Sequence, residues 1–253
     1  MSTESSPLVQ SPELAIMSAI NRGPEALHSA RDEQVRDFVG TDGMGALCWI
    51  LRQHESKNSQ FVCKMMQIAL DKGAAIDGPS DCKFTPLVFC LQRSGKHQLT
   101  TARWLVEHGA ACKSTSPGRV SPLEQLVHRM SRLGWRSGFQ LKKDRVNSIA
   151  LAESLIAGGG DVSGDCSVLS APIESLLREL PMVRQVKTAQ AFMDVFWRAG
   201  CQWDPHWDHY LHNAASHWKK LPDHVRRLNT EAQAAHMQDR TRPAGLSHRK
   251  VRL

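Results

Sequence analysis

No stretch of this chain approaches the ~18 to 20 consecutive apolar residues of a membrane-spanning helix, so no span is expected in its 253 residues. Met1 to Gln10 is polar and serine-rich. It lacks the basic and then apolar regions of a secretory signal peptide. Residues 1–10 therefore read as a disordered leader before a helix start at Ser11-Pro12-Glu13. The alternative is an export signal, because bacterial proteins delivered into host cells often begin this way. The seven cysteines, Cys48, Cys63, Cys82, Cys90, Cys112, Cys166 and Cys201, form no C-x-x-C pair and no framework spacing, and their number is odd. They fit a reducing compartment, so a cytoplasmic location is expected. The motifs H-E-x-x-H, G-x-S-x-G and G-x-x-x-x-G-K-[ST] are also missing. Gly158-Gly159-Gly160 has neither the lysine nor the hydroxyl of a phosphate loop and reads as a helix stop. No enzyme activity, cofactor or metal is expected.

What the sequence does have is a spacing. Gly73 precedes Thr85-Pro86-Leu87 by 12 residues. The same interval separates Gly109 from Ser121-Pro122-Leu123, Gly159 from Ala171-Pro172-Ile173, and Gly200 from His212-Asn213-Ala214. Each glycine follows an apolar segment, as in Trp104-Leu105-Val106-Glu107-His108-Gly109. Glycine stops a helix there because it takes the left-handed conformation without a Cβ clash. Twelve residues later a hydroxyl or small residue precedes proline, which enters a first helical turn with no hydrogen bond to lose. One helix closes and another opens, four times at one register. A stack of like units follows, and stacks act mostly through recognition surfaces.

These residues resemble the ankyrin repeat family, whose units run turn, helix, loop, helix with a T-P-L-H-x-A opening. The match is carried by Thr85-Pro86-Leu87, Ser121-Pro122-Leu123 and Ala171-Pro172-Ile173 at helix starts, and by Gly73-Ala74, Gly109-Ala110 and Gly200-Cys201 at helix ends. Asp42 to Leu47 looks like a degenerate turn and opening, and Ile16 to Gly23 like the first helix of a cap. The resemblance implies an all-α solenoid of about six units over residues 11–240, with degenerate caps and a basic disordered tail at 241–253. The sequence departs from the family in two ways. Openings are 36, 50 and 41 residues apart from Thr85 to His212, against a family period of about 33. Because the glycine-to-opening interval is constant, the surplus belongs between the two helices of a unit, on the edge away from the turns. The family histidine is also replaced, by Val88, Glu124 and Glu174.

Charge is regional. Arg129, Arg132, Arg136, Lys142, Lys143 and Arg145 face Asp144 alone within 129–148, and nine basic residues face three acidic ones from Lys219 onward. These segments carry +5 and +6, a sum of +11 against the whole chain's +7, so the remainder is about −4. The first segment falls in the longest insertion and includes Trp135 and Phe139. In the family the turns project as fingers beside a concave face, which here implies Lys83, Phe84, Lys113, Arg119 and then Trp207 as contact residues. The expected partner is another protein with an acidic surface, bound by a monomer, as for an effector or inhibitor acting on a host protein. Trp207 is the expected hot spot. The competing expectations are that Trp207 caps the core while Arg136 and Lys142 of the insertion bind, or that the basic segments serve a nucleic-acid adaptor. Cys201, His206, His209 and His212 tempt a zinc assignment, but their spacing is not that of a zinc site.

Overall fold

The computed structural model describes residues 11–40, 42–80, 82, 84–93, 95, 97–114, 120–132, 138–162, 172–179, 186–201, 204, 207–215, 223–231 and 234. Among these residues the structure is all-helical, its only bridge being the isolated pair Val39 and Gly45. The helices are α1 (Pro12–Arg22), α2 (Pro24–His28), α3 (Asp32–Arg36), α4 (Ala46–Gln53), α5 (Ser59–Asp71) and α6 (Pro86–Gln92). They continue with α7 (Gln98–Glu107), α8 (Pro122–Arg132), α9 (Gly138–Ala157), α10 (Pro172–Glu179), α11 (Val186–Arg198) and α12 (Asp208–Ala215). Residues 223–231 are also helical.

Helix starts follow from local chemistry. The Oγ1 of Thr85 accepts from the Val88 N–H at 3.3 Å, and the Oγ of Ser121 from the Glu124 N–H at 3.1 Å. Ser11 and Asn58 cap α1 and α5 in the same way. Each bond satisfies a donor that the first turn leaves without a partner, and Pro12, Pro86, Pro122 and Pro172 occupy the position where a missing N–H is harmless.

Helix ends repeat one geometry. Gly73, Gly109, Gly159 and Gly200 have φ of 89°, 89°, 90° and 91°. At each, the glycine N–H reaches the carbonyl three residues back, and the following N–H reaches the carbonyl of Ala69, Leu105, Leu155 or Phe196. The pair of bonds absorbs carbonyls that a helix end would otherwise leave open. Those four carbonyl residues are fully buried.

Between these turns the helices pair and stack. α1 packs on α2, α4 on α5, α6 on α7, α8 on α9 and α10 on α11. One row runs α1, α4, α6, α8, α10, α12, each touching the next, and a second runs α2, α5, α7, α9, α11. The 223–231 helix continues the second row: His224 lies 3.1 Å from Asp194 of α11, and the indole N–H of Trp197 donates to Asn229 at 2.9 Å. One continuous apolar core runs from Ile16 to Leu228.

The surplus of the third pair lies where the spacing predicts. α9 has 20 residues against 10 in α7, while the Ser121 cap and the Gly159 closing turn keep their geometry. The far end of α8 adjoins the α6–α7 connection, through an Arg129 Nη2 to Gly95 carbonyl bond of 3.2 Å, away from the turns. The fourth register is corrected. α12 opens at Asp208, and His212 is its fifth residue rather than its opening. His212-Asn213-Ala214 has neither proline nor a hydroxyl cap, whereas Asp208 puts a negative charge in the first turn, where the helix dipole favours it.

Candidate interaction surface

Three parts of the molecule present side chains in a repeating way: the turns between pairs, the ends of the first-row helices, and the long helix α9. The turns pack shoulder to shoulder. Cys82 donates its S–H to the Gly43 carbonyl at 2.8 Å, and the Ala111 N–H donates to Asp77 Oδ1 at 2.8 Å, tying each turn to its predecessor. A Cβ on Gly45 would stand 2.5 Å from Pro79 Cδ, and one on Gly158 would stand 2.5 Å from Cys112 Sγ. The glycine run at 158–160 thus stops α9 and lets Cys112 approach.

The middle helices of the first row, α4, α6, α8 and α10, are largely interior. Residues 86–91 of α6 and 122–127 of α8 are buried, so little of their length remains for a partner. Their seventh residues do reach solvent: Arg52, Gln92, His128 and Arg178 are each seventh in α4, α6, α8 and α10 and form one line. Most of its charge is balanced internally. Arg52 pairs with Asp42, Arg178 with Glu174 at 2.8 Å, and His128 lies 3.7 Å from Glu124. Tyr210, third in α12, donates to Glu174 at 3.1 Å, and its hydroxyl together with Glu174 holds the Arg178 guanidinium above its ordinary pKa. This line becomes readable in sequence once the register is set, by counting seven residues into each first helix.

The expected contact residues are placed as follows. Lys113 is exposed. Phe84 is half-buried against the core, where its carbonyl accepts the Cys48 S–H at 3.7 Å. Lys83, Arg119 and Arg136, and the side chain of Lys142, lie outside the described residues. Trp207 is only 7% exposed and belongs to the core. The expectation that it projects from a fingertip is therefore corrected: it precedes Asp208 at the start of α12, and the isolated chain does not offer it to a partner. Within the basic insertion, Arg129 and Asp144 are both 4% exposed and do not belong to its surface.

Among the described residues no group of three His, Cys, Asp or Glu side chains is placed to hold a metal. Cys201 is buried while His209 and His212 are exposed, so the tempting cluster is split. Burial pushes the Cys90 and Cys201 thiols up to about 12 and Cys63 to about 11, and raises Cys48 and Cys112 as well. A thiol held protonated is a poor nucleophile. No helix among the described residues is long and apolar enough to cross a membrane. Comparison with known proteins adds no relative: no family model, curated protein or solved structure matches the chain.

Proposed function

We propose that this protein is an ankyrin-type helical solenoid of about six units that binds another protein and performs no chemistry of its own. The observation that carries the reading is the closing turn, repeated four times with φ of 89° to 91° and the same two hydrogen bonds. A chain that keeps one turn geometry while varying helix length from 10 to 20 residues holds a scaffold constant and changes what it displays. The two rows of helices support the same reading, since each helix touches the next along its row, as in a solenoid. A cytoplasmic setting is consistent with six described cysteines left as free thiols. The nucleic-acid adaptor is the weaker reading, because Arg129 of the basic segment is buried.

Affinity purification of the full chain from its native cell, with and without nuclease, tests this. The expected result is a stoichiometric protein partner retained after nuclease treatment. Loss of every partner on nuclease treatment, with oligonucleotide affinity falling steeply as salt rises, would replace the reading with the nucleic-acid adaptor.

A further inference from the structure

We propose that α12 is a flap latched to α10 by the Tyr210 hydroxyl, and that release of the latch uncovers Trp207. The inference goes beyond the protein-binding reading and needs no partner to be tested. It starts from a position that repeats. The third residue of α8 and of α10 is a glutamate, Glu124 and Glu174, standing where the ankyrin opening has histidine. Each accepts from the next helix of the first row: Glu124 Oε1 from the Ser175 hydroxyl at 3.4 Å, and Glu174 Oε1 from the Tyr210 hydroxyl at 3.1 Å. A carboxylate in this register ties one unit to its successor.

The two ties differ in their surroundings. Ser175 is fully buried and the Glu124 side chain is only 7% exposed, which keeps water away from the first bond. The Glu174 side chain is 20% exposed and Tyr210 is half-buried, so water competes for the second. Arg178, one turn after Glu174, keeps the acceptor in place. Its Nη2 donates to the same Oε1 at 2.8 Å, and its guanidinium stands 5.9 Å from the centre of the Tyr210 ring. The latch is a clasp of three residues, two fixed on α10 and one carried by α12. The described side chains of α12 add little burial of their own, since Asp208, His209 and His212 are exposed. α6 and α8 are each held between two neighbours in the row, whereas among the described residues the row ends with α12, which packs on α10. Trp207 joins α12 directly, so a swing of the helix away from α10 lifts the indole out of the core. Elements with few buried contacts open locally at the lowest cost.

Tyr210→Phe in the full chain is the test, because it removes the hydroxyl and keeps the ring. Amide exchange in α12 should speed up about 10-fold, the low end for a lost bond to a charged group. Hydroxyl-radical labelling of Trp207 should rise several-fold, while α4 through α7, α11 and 223–231 keep their parent rates. Glu174→Leu removes the acceptor and should give the same pattern, with no further gain in the double variant, since one bond is lost only once. Glu174→Gln leaves an oxygen for the hydroxyl and should retain most of the protection. Should Glu174→Leu fail to fold, Glu174→Ala supplies the same comparison. Parent exchange in α12 with parent labelling of Trp207 in Tyr210→Phe overturns the proposal. Equal acceleration of α11 and α12 overturns it too, because the whole end then frays without a latch, as do effects that add in the double variant.

Discussion

At the scale of single residues, the closing turn shows how one position serves two purposes. Leu105 and Leu155 bury their side chains completely, and their carbonyls accept from the Ala110 and Gly160 N–H groups at 3.0 and 2.8 Å. Leu105→Ala or Leu155→Ala should cost ~2 to 5 kcal/mol in chemical denaturation, through lost burial and a residual cavity. Wild-type stability in either variant would mean that these side chains do not carry the core. Burial also decides how the thiols respond to pH. Cys90 and Cys201 are raised from an ordinary value of 9.0 to about 12, so the folded chain keeps protons that the unfolded chain releases. Their contribution is complete below pH 9 and fades as pH rises toward 12, by up to about 1.4 kcal/mol per pH unit for each thiol. Melting curves across that range should show a shallower decline in Cys90→Ala than in the parent. An identical slope would show that this thiol is not the titrating group. Sequence exposed the role of the leucines, which lie four residues before a glycine. It did not reveal the fate of Trp207, since an aromatic in a turn reads alike whether it faces solvent or the core beneath it.

At the scale of elements, helix boundaries were legible wherever a local signal sets them. Ser11, Thr85 and Ser121 each cap a helix begun by the proline that follows, and the four closing glycines all take positive φ. Such signals act over three or four residues and need no tertiary information. Failure came where the signal was absent. Ahead of α12 there is no hydroxyl-proline pair, and the interval of 12 residues from Gly200 pointed to His212, whereas the helix begins at Asp208. That difference makes a sharp prediction. As the fifth residue of α12, His212 donates its N–H within the helix, and a proline ring there would collide with the carbonyl four residues back. His212→Pro should therefore destabilise the chain by about 3 kcal/mol. Thermal melting of this variant at the parent temperature would restore His212 as an opening, the one place where proline is tolerated. The length of α9 was half legible. The spacing said that residues are added between the helices of a unit, but an extended helix and a long loop fit the same count.

Across the whole molecule, the order of contacts matters more than any single one. Each pair of helices touches the pair before and the pair after, so stability is built from neighbour to neighbour. This order could be inferred from the repeated register. What covers the last pair could not, because nothing in the register marks 223–231 as the next second-row helix. Its sequence is strongly charged, and only Val225 and Leu228 are buried. Both are spaced to lie on one face, which packs toward α11 beside the Trp197 to Asn229 bond and the Asp194 to His224 contact. Removing residues 223–253 should uncover α11 and leave the opposite end untouched, since the described contacts of the 223–231 helix run to Asp194 and Trp197 of α11. Native-state hydrogen exchange is the measurement: protection should fall in α11 and α12, while α4 through α7 keep their parent rates. Equal loss of protection in α4 and α11 would show that the chain opens as one cooperative body. A constant stacking turn with variation displayed on α9 would then lose its physical basis.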